Sequence, residues 1–533
     1  MHRFEVWAPD RRSVDVVVDG RCLALSAGHG GWWEAVDPDA AAGSRYGFSL
    51  DGGPPRPDPR SMSQPAGVLG LSEVIDHSAY RWNDGDWRGT ALPGLVLYEM
   101  HVGTFSSQGT FDGAIEHLPD LVELGVNAIE LMPVAEFSGE RGWGYDGADL
   151  FAPHHTYGGP AGLKRLVDAC HAHRLAVVLD AVYNHLGPVG NFLAEFGPYF
   201  SDRHHTLWGA AFNFDGDGSE VVRRFILDNA TMWIRDYHVD GLRLDAVHAI
   251  VDRSRPHILQ DIADAVHAAG EALNRSTFVV AESAANDATL IRDRAAGGYG
   301  LDGVWSDDWH HSLHTALTGE HEGYYAEFGT FEQLAAALCE AWVRRGSPAG
   351  LPADRFVVAA QNHDQVGNRA TGTRLAALVG EGKLRIAAAL LLTSPFTPLI
   401  FQGEEWGAST PFLYFTDHAD PAVGEAVSRG RRGEFRAFGW KPEDVPDPQD
   451  AATFERSKLR WEEIAHSPHR EMRDWYRKLI ALRRRLAPGA VDAVHATADA
   501  TSGDLTFKRL GLELRANLRT GELIVLEDGA RLA

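Results

Sequence analysis

Cysteine is scarce in this chain of 533 residues, which contains only Cys22, Cys170 and Cys339. Three widely spaced cysteines with no CxxC pair provide neither a disulfide framework nor a cysteine-based zinc motif. We therefore expect three buried, reduced thiols and a reducing compartment. Residues 1–6 resemble a charged strand and lack the apolar core of a secretory signal, which favours a cytoplasmic protein.

Long apolar runs and excess positive charge are also missing. The most apolar stretch, residues 386–401, is short for a membrane span and contains Pro395 and Pro398. Lysine and arginine total 50 against 74 aspartates and glutamates, which gives a formal net charge of −24 at pH 7. A chain this acidic repels polyphosphate surfaces, so neither nucleic acid nor a membrane is expected as a partner.

Common metal and phosphate motifs are absent as well. The sequence has no P-loop, no GxSxG elbow and no GxGxxG motif that opens a helix, so phosphate cofactors lack support. It also has no HExxH motif and no EF-hand loop. The adjacent pairs His154-His155, His204-His205 and His310-His311 would point apart on a strand. We therefore expect no metal site.

Three regions differ in their secondary-structure signals. Residues 1–90 show strand and turn patterns, such as the alternating Val14, Val16 and Val18, and predict a carbohydrate-binding-like β-sandwich module. Residues 91–488 alternate short apolar runs with helical periods, which is typical of βα units. Residues 489–533 return to strands and turns and predict a small C-terminal β-sheet domain.

The middle region predicts an α/β fold, a (β/α)₈ TIM barrel, because it contains eight apolar runs suited to parallel strands. These runs are residues 95–101, 127–133, 176–185, 241–245, 278–282, 303–307, 356–364 and 398–404. We expect a helix from Phe111 to Leu124, and a second helix whose stripe of Trp475, Leu479 and Leu482 packs on the barrel.

Ionisable residues end nearly every predicted strand. Catalytic side chains of a barrel project from the carboxyl ends of its strands, so these groups are expected to share one mouth. They are His101, Asp180, Asn184, His185, Arg243, Asp245, Glu282, Asp307, Asp308, Asn362, His363, Asp364, Glu404 and Glu405. A charge among apolar strand residues is costly, so these carboxylates need a partner or a role.

Arg243 and Asp245 are two residues apart, so strand alternation directs both side chains to one face, where the guanidinium can hold the carboxylate. An ionised carboxylate beside one whose pKa is raised by burial is what glycoside cleavage requires. For any one of these carboxylates taken alone, the alternative interpretation is a helix cap or a loop anchor.

Four ordered motifs together resemble the conserved regions of glycoside hydrolase family 13, the α-amylase superfamily. They are Asp180-Ala-Val-Tyr-Asn-His185, Gly241-Leu-Arg-Leu-Asp-Ala-Val-His248, Val280-Ala-Glu282-Ser and Gln361-Asn-His-Asp364. The resemblance implies that Asp245 is the nucleophile, Glu282 the general acid/base and Asp364 the transition-state stabiliser. It also implies that the sugar is contacted by Arg243, His185, His363 and the stacking Tyr145, while Asp180 orients Arg243.

Further segments are similar to the family members that release trehalose from maltooligosyl trehalose. They are Gly142-Trp-Gly-Tyr-Asp-Gly147, Trp305-Ser-Asp-Asp-Trp-His-His311 and residues 361–369 and 401–418. The resemblance implies hydrolysis of the α-1,4 bond next to the terminal trehalose, with retention of configuration and no cofactor. It also implies metabolic coupling to maltooligosyltrehalose synthase. Our candidates for contacting the trehalose are His248 and Trp208, although Trp208 has apolar packing as an alternative.

Two alternatives stay open at this point. The N-terminal module and the segment Tyr98-Glu-Met-His-Val-Gly-Thr-Phe105 are also typical of glycogen branching and debranching enzymes of the superfamily. A non-catalytic glucan-binding protein is the alternative of another class, although Asp245, Glu282 and Asp364 are all retained. Some amylases bind calcium through the residue equivalent to Asn184, and the sequence does not establish whether this chain does.

Overall fold

The computed structural model describes residues 1–344, 346, 348, 350–435, 441–486 and 494–532. Its N-terminal strands are β1 (His2–Trp7), β2 (Val14–Val18), β3 (Arg21–Ala24), β4 (Ser26–Ala27), β5 (Trp32–Asp37), β6 (Arg45–Leu50) and β7 (Ser72–Glu73). They form a three-stranded sheet, β1-β5-β4, and a four-stranded sheet, β3-β2-β6-β7. Val14, Val16 and Val18 are buried, as their alternation predicts, and Phe4 of one sheet packs on Tyr46 of the other with ring centroids 4.9 Å apart.

The central part of the chain builds a closed parallel barrel. Its strands and their short excursions are β8 (Leu97–Met100), β9 (Ala128–Leu131), β10 (Ala135–Phe137), β11 (Gly147–Pro153), β12 (Ala176–Ala181), β13 (Phe200–Thr206), β14 (Gly209–Phe212), β15 (Gly241–Leu244), β16 (Phe278–Ala281), β17 (Gly303–Trp305), β18 (Phe356–Ala359) and β19 (Thr397–Phe401). The barrel closes in the order β8-β9-β12-β15-β16-β17-β18-β19, while β10-β11 and β13-β14 are separate antiparallel pairs. Seven of the eight predicted runs contain a whole barrel strand, and the eighth, 398–404, overlaps β19 from its second residue, so the predicted fold class is confirmed.

Helices surround this barrel and fill its connections. They are α1 (Val102–Phe105), α2 (Phe111–Ile115), α3 (Leu118–Leu124), α4 (Gly159–Ala172), α5 (Leu193–Phe196), α6 (Ser219–Tyr237), α7 (Ile258–Ala272), α8 (Asp307–Thr318), α9 (Phe331–Glu340), α10 (His363–Gly367), α11 (Leu375–Leu378), α12 (Glu381–Thr393), α13 (Pro421–Glu434), α14 (Ala451–Arg456) and α15 (His469–Arg485). Trp475, Leu479 and Leu482 of α15 are buried, as their helical spacing predicts.

The helix expected from Phe111 to Leu124 is two helices, α2 and α3. His117 leaves helical geometry with φ −102° and ψ 0°, and Pro119 stands in the first turn of α3. A proline has no amide hydrogen, and inside a continuous helix its ring would clash with the carbonyl of Ile115 four residues earlier. The apolar pattern continues across the break, which is why periodicity alone does not show it.

The C-terminal strands form one antiparallel sheet of five strands. They are β20 (His495–Ala498), β21 (Asp504–Arg509), β22 (Leu512–Asn517), β23 (Leu523–Glu527) and β24 (Ala530–Arg531). Arg509 joins this sheet to the barrel region by donating to the backbone oxygen of Ser394 at 3.1 Å. The predicted domain boundary at 488–489 lies outside the described residues, and the boundary at residue 90 stays a prediction.

The cysteines depart from the expectation of three buried thiols. All three are free, but Cys170 alone is buried, while Cys339 is half-buried and Cys22 is exposed. Cys22 lies on β3, an edge strand of the four-stranded sheet, where one face meets solvent. Among the helices of the described ranges, none is both long enough and apolar enough to cross a bilayer.

Candidate active site

A cavity of about 410 Å³ opens at the carboxyl ends of the barrel strands. Eight of the nine site residues predicted from the sequence line it: Tyr145, His185, Trp208, Asp245, His248, Glu282, His363 and Asp364. Arg243, the ninth, lies beneath the cavity with no exposed surface. The structure therefore brings together residues that are more than 200 positions apart in the chain.

The barrel strands account for this convergence. Asp245 directly follows β15, Glu282 follows β16, and His363 and Asp364 begin α10 after β18. Strands β15 and β16 pair in parallel, with Leu244 opposite Ala281, so Asp245 and Glu282 emerge side by side. Because all eight strands run the same way, each of these loops opens at the same mouth.

Arg243 links the carboxylates from below. Its Nη1 donates to Asp180 Oδ2 at 2.7 Å and to Asp245 Oδ1 at 2.9 Å, and its Nη2 lies 3.9 Å from Glu282 Oε2. The guanidinium also packs over the Trp305 ring, 4.5 Å from the ring centroid. A buried arginine with these partners fixes the relative positions of the two carboxyl groups that face the cavity.

Asn184 holds Asp245 from the other side. Its Nδ2 donates to Asp245 Oδ2 at 2.7 Å and to the Asp245 backbone oxygen at 2.9 Å. Its side-chain oxygen faces His185 Nδ1 at short range. Both ends of the Asn184 amide are therefore engaged by neighbouring groups of the site.

Glu282 is held as a neutral acid. Burial, with added repulsion from Asp245, Asp307 and Asp364, raises the pKa of Glu282 to about 8 against the attraction of Arg243. Its Oε2 accepts a hydrogen bond of 2.6 Å from the backbone N–H of Ala246. Ala246 adopts a left-handed conformation, with φ 41° and ψ 50°, which is unusual for alanine and costs strain energy. In this conformation the backbone N–H of Ala246, the residue after Asp245, points at the Glu282 side chain.

The hydrogen bonds of His363 indicate a positively charged ring, because both of its nitrogens act as donors. Tyr145 donates its hydroxyl proton to Asp180 Oδ2 at 2.6 Å, so the 2.7 Å contact between Tyr145 and His363 Nε2 requires the ring N–H to donate. The other ring nitrogen, Nδ1, donates to Glu99 Oε1 at 2.5 Å. Although burial opposes the charge, Glu99 and Asp364 raise the pKa of His363 to about 9.

Glu99 is a site residue that the sequence analysis missed. It lies within β8, is buried, and also accepts from the backbone N–H of His363 at 2.9 Å. Its register partner on β9, Glu130, is equally buried, and burial raises the Glu130 pKa well above its usual range. Both carboxyl groups stand inside apolar strands, and the argument applied to Asp180 would have identified them.

Asp364 is the most open of the three predicted catalytic carboxylates, with 45% of its side chain exposed. It accepts from Asn368 Nδ2 at 3.1 Å, one turn along α10, and its Oδ1 lies 3.6 Å from His363 Nε2. A carboxylate that lines the cavity and is this exposed is available to hydroxyl groups of a bound sugar.

The outer wall of the cavity contains the two residues proposed to contact trehalose. His248 is exposed at the cavity edge. Trp208 stands at the tip of the β13-β14 hairpin, with 49% of its surface exposed, and stacks on His185 at a centroid distance of 5.4 Å. Burial in an apolar core, the alternative for Trp208, is therefore wrong.

Several strand-end residues of the sequence analysis do not reach the cavity. Burial lowers the pKa of His101 to about 4, and its ring bonds Thr104 and the backbone of Gly142. Glu404 accepts from the hydroxyl of Tyr476 at 2.9 Å, and Glu405 accepts from that of Tyr98 at 3.1 Å. These three side chains hold the barrel wall together.

Comparison with known proteins agrees with this geometry. The model of the alpha amylase catalytic domain matches residues 79–204. A malto-oligosyltrehalose trehalohydrolase from Arthrobacter ramosus is 49% identical over 99% of this chain and 94% of its own length. One from Rhizobium sp. (strain M-11) is 46% identical over 90% of this chain and 84% of its own length. A branching enzyme from Pseudoalteromonas atlantica is 27% identical over 76% of this chain and 61% of its own length.

A solved structure shares the whole architecture. The crystal structure of a putative alpha amylase from Salmonella typhimurium superposes with a TM-score of 0.89 and 37% sequence identity, covering 98% of this chain and 91% of that one. High identity over nearly complete lengths extends from the N-terminal sheets to the C-terminal sheet. The chain therefore belongs to the malto-oligosyltrehalose trehalohydrolase family, among the glycoside hydrolases of the α-amylase superfamily.

Proposed function

We propose that the protein hydrolyses the α-1,4 bond next to the terminal trehalose of maltooligosyl trehalose and releases trehalose with retention of configuration. The observation that carries this proposal is the pairing, at one cavity, of the Asp245 carboxylate with Glu282, whose pKa is about 8. Glycoside cleavage needs these two chemical forms side by side. The names of the relatives supply the substrate.

The proposed reaction uses side chains alone. An Asp245 oxygen bonds to the anomeric carbon as the bond to the trehalose oxygen breaks, and the Glu282 proton passes to that oxygen. Glu282, now a carboxylate, takes a proton from water, and the resulting hydroxide displaces Asp245 from the sugar. Asp364 binds ring hydroxyl groups in the transition state. Two inversions at the same carbon give retention.

Contacts along the cavity suggest how the other residues take part. Tyr145 and His185 face the sugar at the cleavage point, and Arg243 and His363 hold the carboxyl groups and Tyr145 in place. His248 and Trp208 offer a polar edge and an exposed ring to the leaving trehalose. Such a substrate requires a preceding enzyme that converts a chain end to trehalose, a maltooligosyltrehalose synthase, and we place both in the cytoplasm.

The experiment compares two substrates of equal length. Maltopentaosyl trehalose and maltoheptaose each contain seven glucose units and differ only in the last linkage. We expect trehalose from the first, with a kcat/KM at least about tenfold above that for cleavage of the second, a difference of about 1.4 kcal/mol. Equal rates on both would contradict the trehalose specificity, although not the hydrolase chemistry.

Amylopectin distinguishes the alternatives. A gain of branches or cleavage of α-1,6 bonds, at rates above trehalose release, would favour a branching or debranching enzyme. Oligosaccharide binding without hydrolysis of any substrate would favour a non-catalytic glucan-binding protein. The higher identity to trehalohydrolases than to the branching enzyme supports the trehalose reaction.

A further inference from the structure

Two imidazoles and one carboxylate form a group outside the set of residues that line the active-site cavity. Glu136 is in β10, and His154 and His155 directly follow β11, the strand paired with β10. In the described part of the chain, their ligand atoms all lie within 4.8 Å of one another. The proposed sugar chemistry makes no use of this group.

The two adjacent histidines converge, contrary to the expectation from strand alternation. His154 ends the extended segment with φ −55° and ψ 128°, and His155 begins a 3₁₀ turn over His155–Tyr157. The turn rotates the second ring back towards the first. As a result, Nδ1 of His154 and Nδ1 of His155 lie 3.0 and 2.8 Å from the same oxygen, Glu136 Oε1.

These distances are close to those of a tetrahedral metal site. Zinc binds imidazole nitrogen and carboxylate oxygen at about 2.0–2.1 Å, which separates tetrahedral ligands by roughly 3.3 Å. Side-chain shifts of a few tenths of an ångström would open the present contacts to that spacing. The backbone N–H of His155 holds the other carboxylate oxygen, Oε2, at 2.8 Å, which leaves Oε1 directed at both rings.

Of the three side chains, that of His155 reaches solvent. The side chains of Glu136 and His154 have no exposed surface, whereas His155 is 28% exposed. His155 lines a cavity of about 600 Å³ between the N-terminal segment and the start of α4, whose wall also includes Glu73 and Asp76. Water from this cavity can reach the cluster and complete a four-coordinate site.

We propose that Glu136, His154 and His155 bind one divalent transition-metal ion, with zinc as the best match to this ligand set. Two neutral imidazoles, one carboxylate and one water suit zinc better than calcium or magnesium, which prefer oxygen ligands. The ion would fix the β10-β11 pair to the turn before α4. Phe137, next to Glu136, lines the active-site cavity, so the ion would stiffen one wall of it without touching substrate.

The surroundings of His154 set the expected strength. When Nδ1 binds metal, the proton must sit on Nε2, which has no hydrogen-bond partner among the described residues. The ring is instead stacked on Phe137 at a centroid distance of 3.7 Å. Absence of such an outer partner weakens metal binding by roughly 10- to 100-fold. We therefore expect a micromolar dissociation constant for zinc.

Calorimetry on the full chain, first treated with a chelator, tests the proposal. Zinc chloride is expected to bind with a stoichiometry of one at this site and to raise the thermal midpoint. Cobalt(II) at the same site is expected to give the strong visible absorption of four-coordinate cobalt, which six-coordinate surface binding does not give.

Two variants and one control locate the site. His155→Ala and Glu136→Gln are each expected to weaken zinc binding at least about tenfold and to remove the cobalt spectrum. His29→Ala, at an exposed histidine in the turn between β4 and β5, is expected to change neither. His155 is partly exposed and its loss leaves the fold intact; Glu136→Gln keeps the shape of the side chain. Unchanged zinc binding in both variants, or a six-coordinate cobalt spectrum, would overturn the proposal.

Discussion

The two ends of the barrel both bury clusters of charged side chains, but they do so in opposite ways. At the amino ends of the strands, Asp84 accepts from His171 and His238 at 2.8 Å each and from Arg275 at 3.0 Å. His171 is further held by Asp240, at 3.0 Å. Asp84, Asp240, His171 and Arg275 therefore each have a close partner of opposite sign.

At this end folding favours the charged forms of Asp84 and His171, whereas burial lowers the pKa of His238. Despite burial, hydrogen bonds from His171 and His238 hold the pKa of Asp84 well below its usual range. Burial also opposes the charge of His171, yet Asp240 and Asp84 raise its pKa. Such a network stabilises the fold at neutral pH, and its paired groups keep their protonation states rather than exchange protons with a substrate.

The mouth has carboxylates in excess of cations. Arg243 and His363 face Asp180, Asp245, Glu282, Asp307 and Asp364, together with Glu99 below. The excess of negative charge favours retention of a proton on one of these carboxyl groups. Burial, together with repulsion from the neighbouring carboxylates, raises the pKa of Glu282 to about 8. Close pairing therefore marks the structural end of the barrel, and incomplete pairing marks the end where we propose that proton transfer takes place.

Removal of the proposed nucleophile should have the largest effect at the mouth. Asp245→Asn keeps the shape of the side chain but cannot form the covalent intermediate. We expect kcat/KM to fall by about 10⁴-fold or more, at least about 5.5 kcal/mol of transition-state stabilisation. The circular dichroism spectrum and thermal midpoint should stay close to those of the unchanged protein. A variant that keeps a tenth of the activity would refute the assignment.

Removal of a charge at the paired end should affect stability instead. Asp84→Asn leaves His171, His238 and Arg275 around a neutral amide, and breaking a buried ion pair from one side costs about 3 kcal/mol. Urea unfolding at pH 7 measures this loss, while kcat is expected to stay within about twofold. Asp86→Asn, at an exposed position two residues away, is the matched control.

The sign of the pH dependence provides a second check on Asp84. A carboxyl group whose pKa is lowered by folding contributes stability above its unfolded pKa, and that contribution is lost as the pH falls through the folded value. The difference in stability between the unchanged protein and Asp84→Asn should therefore be full at neutral pH and shrink in acid. A difference that grows in acid would contradict the role given to this charge.

The barrel and its mouth could be predicted from the sequence because both depend on the order of residue types within short segments. An apolar run followed by an ionisable residue indicates a strand and the position where it ends. When parallel strands close into a barrel, their carboxyl ends meet at one face. Asp245, Glu282 and Asp364 were predicted in this way. Arg243, which donates to Asp245 Oδ1, was also predicted, since it stands two residues before Asp245.

Other features depend on how distant segments meet. Glu99 and His363 are 264 positions apart and become neighbours only when the barrel closes. The Asp84 network joins the segment before the barrel to His171 in α4, His238 after α6 and Arg275 after α7. His154 and His155 converge because a 3₁₀ turn starts at the second of them, a detail that strand alternation does not anticipate. Long-range pairing and local turns are therefore what the sequence left undetermined.

The smallest predicted effect is that of Glu99, whose charge lies below the mouth. It tests whether this charge affects activity or only the local structure. Glu99→Gln keeps a hydrogen-bond acceptor for the backbone of His363 but removes the charge that raises the pKa of this ring to about 9. A histidine with a raised pKa is stabilising below its unfolded pKa, and this stability is lost as the pH rises through about 9. Asp364, Tyr145 and Arg243 also face the ring and are unchanged in the variant.

The expected readout is a change in the pH profile. If the His363 pKa returns to about 6.5, the protonated fraction at pH 8 drops by roughly 30-fold, but at pH 6 by less than twofold. We expect kcat/KM to follow the same pattern, so the alkaline limb moves to lower pH. Glu130→Gln is the matched control: burial raises the pKa of the Glu130 carboxyl group well above its usual range and favours its neutral form, so this variant should keep its activity.

The pairing of Glu99 with Glu130 calls for one further variant. Once the Glu99 charge is gone, the repulsion that helps to raise the Glu130 pKa disappears, and Glu130 can ionise in its place. Glu99→Gln combined with Glu130→Gln prevents this substitution and should show the full alkaline loss. If kcat/KM falls equally at pH 6 and pH 8, Glu99 only supports the local structure. The contrast between the paired amino-terminal end of the barrel and the titrating mouth would then apply only to the residues that face the cavity.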